Sequence, residues 1–328
     1  MKNWIAYLII AVILVAVELC YFRVAERFQI VDSPKSRSSH SKAVLRGGGI
    51  VFLFGIILFV CFFGVQYVWF LLGLLLVGVV SFWDDVRSLS DSVRLGAHFI
   101  AVLLVVYQLW GFQLNMWWWA PLVCVFCIGI INAYNFMDGV NGMTGAYSLV
   151  VILPLIYLNK LLGFVSEPLL VCTLLADLVF CFFNFRVRAK CFAGDVGSIS
   201  MAFIVIFVIA LLISKTKDFS FIILLAIYGI DTVLTIVHRM ILRENLGEAH
   251  RKHAYQLMAN ELHIPHLLVS IIYALLQLVI SAGLILLPVN HYVYSVCVIV
   301  FLCMAYVVFM KKYYHLHEEY LANLDKAQ

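Results

Sequence analysis

Eleven stretches of this chain are apolar for close to the length at which a helix crosses a bilayer, and the charges fall mostly between them. They lie at about 4–22, 48–65, 67–83, 95–111, 117–133, 143–162, 168–184, 199–214, 219–237, 266–287 and 290–310. A helix needs about 20 apolar residues to cross the hydrocarbon core. Backbone groups in lipid must be satisfied internally, and runs this long and continuous are helices rather than barrel strands. The expected fold class is all-α: a polytopic transmembrane helix bundle of about eleven spans. Composition agrees, with 65% hydrophobic residues, 12% charged and a mean hydropathy of +1.04 over 328 residues. Soluble domains carry roughly 25% charged residues. The run from Trp4 is long for a secretory signal core, and no small-residue cleavage site follows it, so it reads as the first span.

Lys and Arg divide unevenly between the two sets of loops. The loops after the odd-numbered spans, with the C-terminal tail, hold 18; the other side holds Lys2, Lys160, Lys215 and Lys217. Positive loops stay in the cytoplasm. The N-terminus is therefore expected outside, and the C-terminus and the longer, acid-bearing loops inside. One integral membrane domain over residues 1–328 is expected, with catalytic loops at 23–47, 84–94, 134–142, 185–198 and 238–265. The net charge of +4 is modest, and no basic stripe with a supporting motif points to nucleic acid. Of nine cysteines, only Cys191 lies in a polar loop. Cys124 and Cys127 form a CxxC inside an apolar run with no second pair, which reads as packing rather than metal or redox chemistry.

Each long loop carries a group suited to chemistry and also has a bland reading. The first runs from Val31 to Ile50 and supplies Lys35, Arg37, His40 and Arg46, followed by Gly47, Gly48 and Gly49 at a helix start. That is a collar for phosphate with close backbone approach to a ligand, or a positive-inside loop with a flexible helix entry. The second opens on Asp84 and Asp85 at the end of a span. Adjacent carboxylates near hydrocarbon are expensive, and a helix C-terminus prefers cations, so the pair points to a base or metal ligand rather than a helix stop. The third, Asn132 to Gly142, has Asn132 and Asn135 at i, i+3, then Asp138 and Asn141 in a glycine-punctuated turn, and no Lys or Arg. Such a loop supplies oxygen ligands or nucleoside hydrogen bonds, or is merely an Asx-rich turn. In the fourth, Asp195 stands between Gly194 and Gly197 before a helix start, where a metal-bound anion would meet backbone N–H groups, and Phe192 is placed to stack on a base. The fifth, His238 to Pro265, places His250, Arg251 and His253 on a short predicted helix. They read as a pyrophosphate grip or an amphipathic surface helix.

Together, SRSSH…RGGGI, Asp84–Asp85, NAYNFMDG, FAGDVGS and HRKHAYQ resemble, in order, the motifs of the polyprenyl-phosphate N-acetylhexosamine-1-phosphate transferases. This family includes phospho-MurNAc-pentapeptide translocase and the WecA-type enzymes. The resemblance covers nearly the whole chain and is specific jointly, not motif by motif. It implies a cytoplasmic cleft, Mg²⁺ (with Mn²⁺ as a substitute), a UDP-N-acetylhexosamine donor, and undecaprenyl phosphate as acceptor. It also implies a bacterial inner-membrane location, with the bilayer and a homodimer as further partners. By motif position it implies Asp84 and Asp85 as the catalytic acids, Asp84 foremost. Asp195 and Asn135 would be metal-side residues. Lys35, Arg37, His40, Arg46, Asn132, Asp138, Asn141, Phe192, His250, Arg251 and His253 would be substrate-binding.

The chain departs from the family pattern at four places. Asn141 stands where a second acid is common, and no lysine follows Asp84–Asp85 in register. The segment Asn184 to Asp195 is about one residue longer than the family pattern, and the histidine motif is HxxH rather than a triple-histidine run. These departures resemble the O-antigen or capsule branch more than the peptidoglycan enzyme. The competing reading is a transporter or flippase for lipid-linked or nucleotide sugars. It needs polar groups through the membrane depth, where only Glu18 and Asp177 stand out. A scaffold subunit of a glycan-assembly complex is a third.

Overall fold

The computed structural model describes residues 3–32, 43–111, 113, 116–248 and 250–327. In chain order the helices are α1 (Trp4–Arg27), α2 (Ile50–Phe63), α3 (Val68–Val86), α4 (Asp91–Trp110), α5 (Ala120–Met137), α6 (Met143–Leu162), α7 (Glu167–Asn184), α8 (Gly194–Thr216), α9 (Ala226–Ile241), α10 (Ala254–Asn260), α11 (His266–Leu286) and α12 (His291–Ala327). Short 3₁₀ turns at Trp117–Trp119 and Phe219–Leu225 lead into α5 and α9. Two short strands, β1 (Val31–Asp32) and β2 (Val44–Leu45), pair antiparallel.

Among the described residues, ten helices are long and apolar enough to cross a membrane. The expected second span forms only the 14-residue α2. Glycines bound it: Gly47, before its start, and Gly64, at its end, take φ of +84° and +83°. Such left-handed backbone ends a helix readily at glycine and poorly elsewhere. Fourteen helical residues rise about 21 Å. The extended segment 64–67 adds up to roughly 13 Å, which makes up the depth of a span. Tyr67 accordingly lies at the far end of the bundle, where its hydroxyl accepts the Ser166 amide at 3.0 Å, just before α7.

Helix α8 is the axis of the bundle. Of its most apolar window 83% is buried, against 22% for α1 and for α12. Its sequence explains this: between Asp195 and Lys215 it carries no charge, and a helix apolar all round belongs in a core. Helices α2, α3, α5 and α6 pack around it. Phe70 of α3 stacks on Phe203 and Phe207 of α8, with ring centroids 5.8 and 4.1 Å apart. The outer faces of α1, α4 and α12 keep large apolar side chains exposed, as lipid-facing surfaces do.

At one end of the bundle the first and fourth long loops lock together. Phe192 N–H donates to Leu45 C=O (2.8 Å), Gly48 N–H to Phe192 C=O (2.9 Å) and Gly49 N–H to Ala193 C=O (3.1 Å). A Cβ on Gly49 would run into the Gly197 backbone, so the entries of α2 and α8 touch main chain to main chain. The glycine run, expected to admit a ligand, admits the neighbouring helix entry instead.

Candidate active site

Asp84 and Asp85 end α3 but face different surroundings. The Asp85 side chain is fully buried. It accepts the Asp195 and Val196 amides, both at 2.9 Å, and so caps the N-terminus of α8. It also meets Arg46 Nε at 2.6 Å. The helix dipole and two orphan amides explain why an acid belongs there. Asp84 accepts the Leu89 amide at 2.5 Å and pairs with Arg94 Nη1 at 3.2 Å. Its carboxyl also lies within hydrogen-bonding reach of Asp195. Of the two expected catalytic acids, Asp85 holds up the site, and Asp84 remains at its mouth.

Asp195, in the first turn of α8, joins the loops. Its carboxylate receives Arg46 Nη2 at 2.9 Å and Asn135 Nδ2 at 3.0 Å, and lies 3.6 Å from Arg94 Nη1. Its side chain is 12% exposed, while Arg46 and Arg94 are 31% and 33% exposed. Two half-open guanidinium groups thus flank two nearly closed carboxylates. Against the pull of burial, Asp85 and Asp195 raise the Arg46 pKa, so this cation persists at any working pH.

Asn135 was expected beside a metal. Here its amide nitrogen, which cannot bind a cation, serves Asp195 and the Ser198 hydroxyl (3.1 Å). It orients the acid, and these two bonds do not engage its side-chain oxygen. One turn earlier on α5, Asn132 is half-buried. Asp138, just past the end of α5, is half-buried and accepts the Thr144 hydroxyl at 2.7 Å. Burial first, and then the negative charge of Asp195, push its carboxyl up to about 6 despite that bond. Asn141 does not face a ligand: its amide is spent on the Arg186 and Val187 carbonyls at 2.9 and 3.2 Å. Asn184 completes this clasp, accepting from the Gly142 amide and donating to the Cys191 carbonyl, both at 2.8 Å. Phe192 is half-buried and held by its backbone bonds to Leu45 and Gly48. Lys35, Arg37 and His40 lie outside the described residues.

The fifth loop joins the same end. Tyr255 of α10 donates to the Phe136 carbonyl at 2.8 Å, one residue past Asn135. His253 caps α10 in a box with Gln256, and its ring lies 6.1 Å from that of Phe136. His250 and His253 face each other with centroids 5.0 Å apart. Burial, then His253 and Arg239, push His250 down to about 3, so this ring is neutral. Arg251, expected in a phosphate grip, is engaged elsewhere. It pairs with Glu261 at 2.8 Å and stacks 4.2 Å over Tyr320, while Glu261 also binds His317 at 2.9 Å. It fastens the loop to α12.

Sequence reasoning passed over two residues. Arg94 bridges Asp84, Asp91 and Asp195. Asp231 lies within α9. It lies 3.2 Å from His253 Nδ1 and accepts from the Ala254 amide (3.1 Å), Thr235 (3.1 Å) and Tyr273 (2.6 Å). An acid inside the apolar run 219–237 was the only signal.

Among the described residues, no group of three or more His, Cys, Asp or Glu is arranged to hold a metal ion. Magnesium does not require one, since it is commonly held by one or two carboxylates plus substrate phosphates. Asp195 and Asp84, two oxygen donors beside a half-open mouth, fit that pattern.

Residues 67–214 match the glycosyl transferase family 4 profile. That stretch takes in Asp84, Asp85, Arg94, Asn135, Asp138 and Asp195, and leaves out the first loop and the histidine loop. The chain is 26% identical to the probable undecaprenyl-phosphate N-acetylglucosaminyl 1-phosphate transferase of Bacillus subtilis, over 72% of each chain. It is 27% identical to the undecaprenyl-phosphate alpha-N-acetylglucosaminyl 1-phosphate transferase of Thermotoga maritima, over 38% of this chain and 42% of that one. It is also 27% identical to the phospho-N-acetylmuramoyl-pentapeptide-transferase of Limosilactobacillus fermentum, over 39% of this chain and 45% of that one.

Proposed function

We propose that the chain is a polyprenyl-phosphate hexosamine-1-phosphate transferase that moves N-acetylhexosamine-1-phosphate from a UDP-sugar to undecaprenyl phosphate, a reading supported by the match to glycosyl transferase family 4 and by the similar proteins. One observation carries the reading. The cluster of Asp84, Asp195, Arg46 and Arg94 sits at the mouth of an otherwise apolar bundle, with the amides and histidines of the other loops tied to it. The acceptor's tail needs lipid and the donor needs water, so the reaction belongs at such an interface.

In the reaction an oxygen of the lipid phosphate attacks the sugar-bearing phosphorus of the donor. A new P–O bond forms, the diphosphate bridge breaks, and the bridging oxygen leaves with UMP. The difficulty is bringing anions together, so positioning and charge neutralisation supply most of the catalysis. Arg46 and Arg94 offer fixed positive charge at the mouth. Asp84, held by Leu89 N–H and Arg94, is placed to deprotonate or orient the lipid phosphate. Asp195 and Asp84 would hold Mg²⁺, which would neutralise diphosphate charge. Asp138 and Phe192 are proposed on the nucleotide side. The active site is assigned to the cytoplasmic face of the bacterial inner membrane, in keeping with the distribution of Lys and Arg.

The test is UMP release from a panel of UDP-N-acetylhexosamines by purified protein in detergent with undecaprenyl phosphate and Mg²⁺. Release is expected for at least one donor, and it should stop when the metal is chelated and return when it is added back. Asp195→Asn is expected to lower kcat roughly 100-fold or more, the scale of losing one preorganised electrostatic group. Full activity of that variant would remove Asp195 from the metal site, and full activity of Asp84→Asn would remove Asp84 as the essential acid. Flux of a lipid-linked sugar through proteoliposomes with no UMP formed would instead establish a transporter.

A further inference from the structure

Two histidine nitrogens at the active end are buried and have no partner: His253 Nε2 and His250 Nδ1. Buried polar atoms in native proteins are almost always paired, and an exception calls for a ligand or a functional reason. The two rings lie 5.0 Å apart, and the Tyr255–Phe136 bond ties their loop to the segment that carries Asn135. The opposite side of the His253 ring is fully specified. Nδ1 meets Asp231 Oδ1 at 3.2 Å, inside a protein core where both side chains are nearly unexposed.

Asp231 serves the start of α10 as well as the His253 ring. It sits in α9 among apolar neighbours, and a charge there is costly unless it is used. Every bond it makes points to the histidine loop or braces that contact. Ala254 N–H and Tyr255 N–H arrive from the first turn of α10, at 3.1 and 3.4 Å. Tyr273 of α11 and Thr235 of α9 hold the two oxygens, and Thr235 in turn bonds Tyr306 of α12 at 2.9 Å. Three helices therefore fix one carboxylate in front of one imidazole nitrogen. The hydrogen bond made by one ring nitrogen decides which tautomer the other presents.

We infer that Asp231 is the positioning residue of His253: it holds the proton on Nδ1 and fixes the ring so that Nε2, when it also carries a proton, donates that N–H to a phosphate oxygen of the bound diphosphate donor. This rests on the transferase reading of the site. Asp231 touches no substrate and acts only through the ring. Residues in such supporting shells, as at metal sites, commonly cost 10–100-fold when changed.

The test uses full-length wild type, Asp231→Asn, His253→Asn and the double variant, each assayed for UMP release with KM for the UDP-sugar determined. Asp231→Asn is expected to lower kcat roughly 10–100-fold with KM nearly unchanged, and to add less than about 3-fold in the His253→Asn background, because coupled residues are non-additive. The same loss in both backgrounds would overturn the inference and leave Asp231 a structural brace. Because that brace also ties α9, α10 and α11 together, wild-type protein carrying ¹⁵N-histidine gives a reading independent of folding in the variants, with His253 assigned by its absence in His253→Asn. A ring carrying its proton on Nδ1 is expected. A proton on Nε2 with a bare Nδ1 would overturn the inference whatever the variants do. Wild type that releases no UMP from any donor, while its His253 shows the Nδ1 proton, would bring down the transferase reading and with it this role, although the dyad itself would stand.

Discussion

Asp84 and Asp85 are neighbours in sequence and similar in chemistry, yet one reaches the mouth of the site and the other is sealed under α8. Sequence showed that the pair was expensive and therefore worth explaining. It could not show that Asp85 spends its charge on two amides and Arg46, because the partners lie 110 residues away or more than 30 residues upstream. Asn141 and Arg251 mislead for the same reason. Each carries a group that suits a ligand, and each is taken by a protein partner that spacing does not reveal. Asp138 gives a prediction that can be worked through in sign. Its folded carboxyl is raised to about 6 from an ordinary 3.8, mainly by burial, so ionising it weakens the fold. That cost is absent below about 3.8, grows as pH rises toward 6, and is fully present above 6. Asp138→Asn keeps an acceptor for Thr144 and removes the charge. The variant is expected to melt above wild type at pH 8, with the gap closing between pH 6 and 4, while UMP release falls. A gap that persists unchanged at pH 4 would mean that burial of this charge is not its source.

The helices themselves were legible, since run length alone placed ten of the long ones to within a few residues at most ends. What run length could not convey was how two elements meet. Gly47 to Gly49 looked like room for a ligand. Protein fills that room: Gly47 faces Tyr21, Gly48 faces Cys191 and Glu18, and Gly49 comes against Gly197 of α8 with no side chain between. Small residues at matching positions of two helices permit backbone approach of this kind, but which helix answers which cannot be read from one of them. Gly49→Ala therefore tests the element contact directly. Its Cβ meets backbone, which cannot swing aside, and overpacking of that kind costs about 1–3 kcal/mol. The variant is expected to unfold several degrees below wild type in a tryptophan-fluorescence melt and to lose activity, since Arg46 and Asp195 flank the contact. Gly129→Ala on α5, where an added Cβ meets nothing within 4 Å, is expected to leave the melt unchanged. Equal effects of the two substitutions would mean that the contact between the α2 and α8 entries is not tight in the working protein.

At the scale of the molecule, the loops following α1, α3, α5, α7 and α9 are bonded to one another, so the polar chemistry has one end of the bundle. Geometry ties those loops together without saying which compartment they face; the proposed cytoplasmic assignment rests on the charges, 18 Lys and Arg on that side against 4 on the other. The short α2 makes the point testable, because the orientation of the two termini depends on whether it crosses. With α2 and segment 64–67 filling a full span, eleven crossings leave the termini on opposite sides. With α2 re-entrant, ten would leave them together. Green fluorescent protein fused after Gln328 is expected to fluoresce in cells, and alkaline phosphatase at the same point to be inactive. Phosphatase fused after Phe63, at the end of α2, is expected to be active, because that point lies at the far end of the bundle. Active phosphatase at Gln328 would reverse the assignment and put the donor site outside, where no UDP-sugar is supplied. Inactive phosphatase at Phe63 would keep α2 in the inner half of the membrane. Full depth at α2 is what brings Gly49 and Arg46 to the same level as Asp195, so the charge asymmetry and the assembly of the site stand on the same crossing.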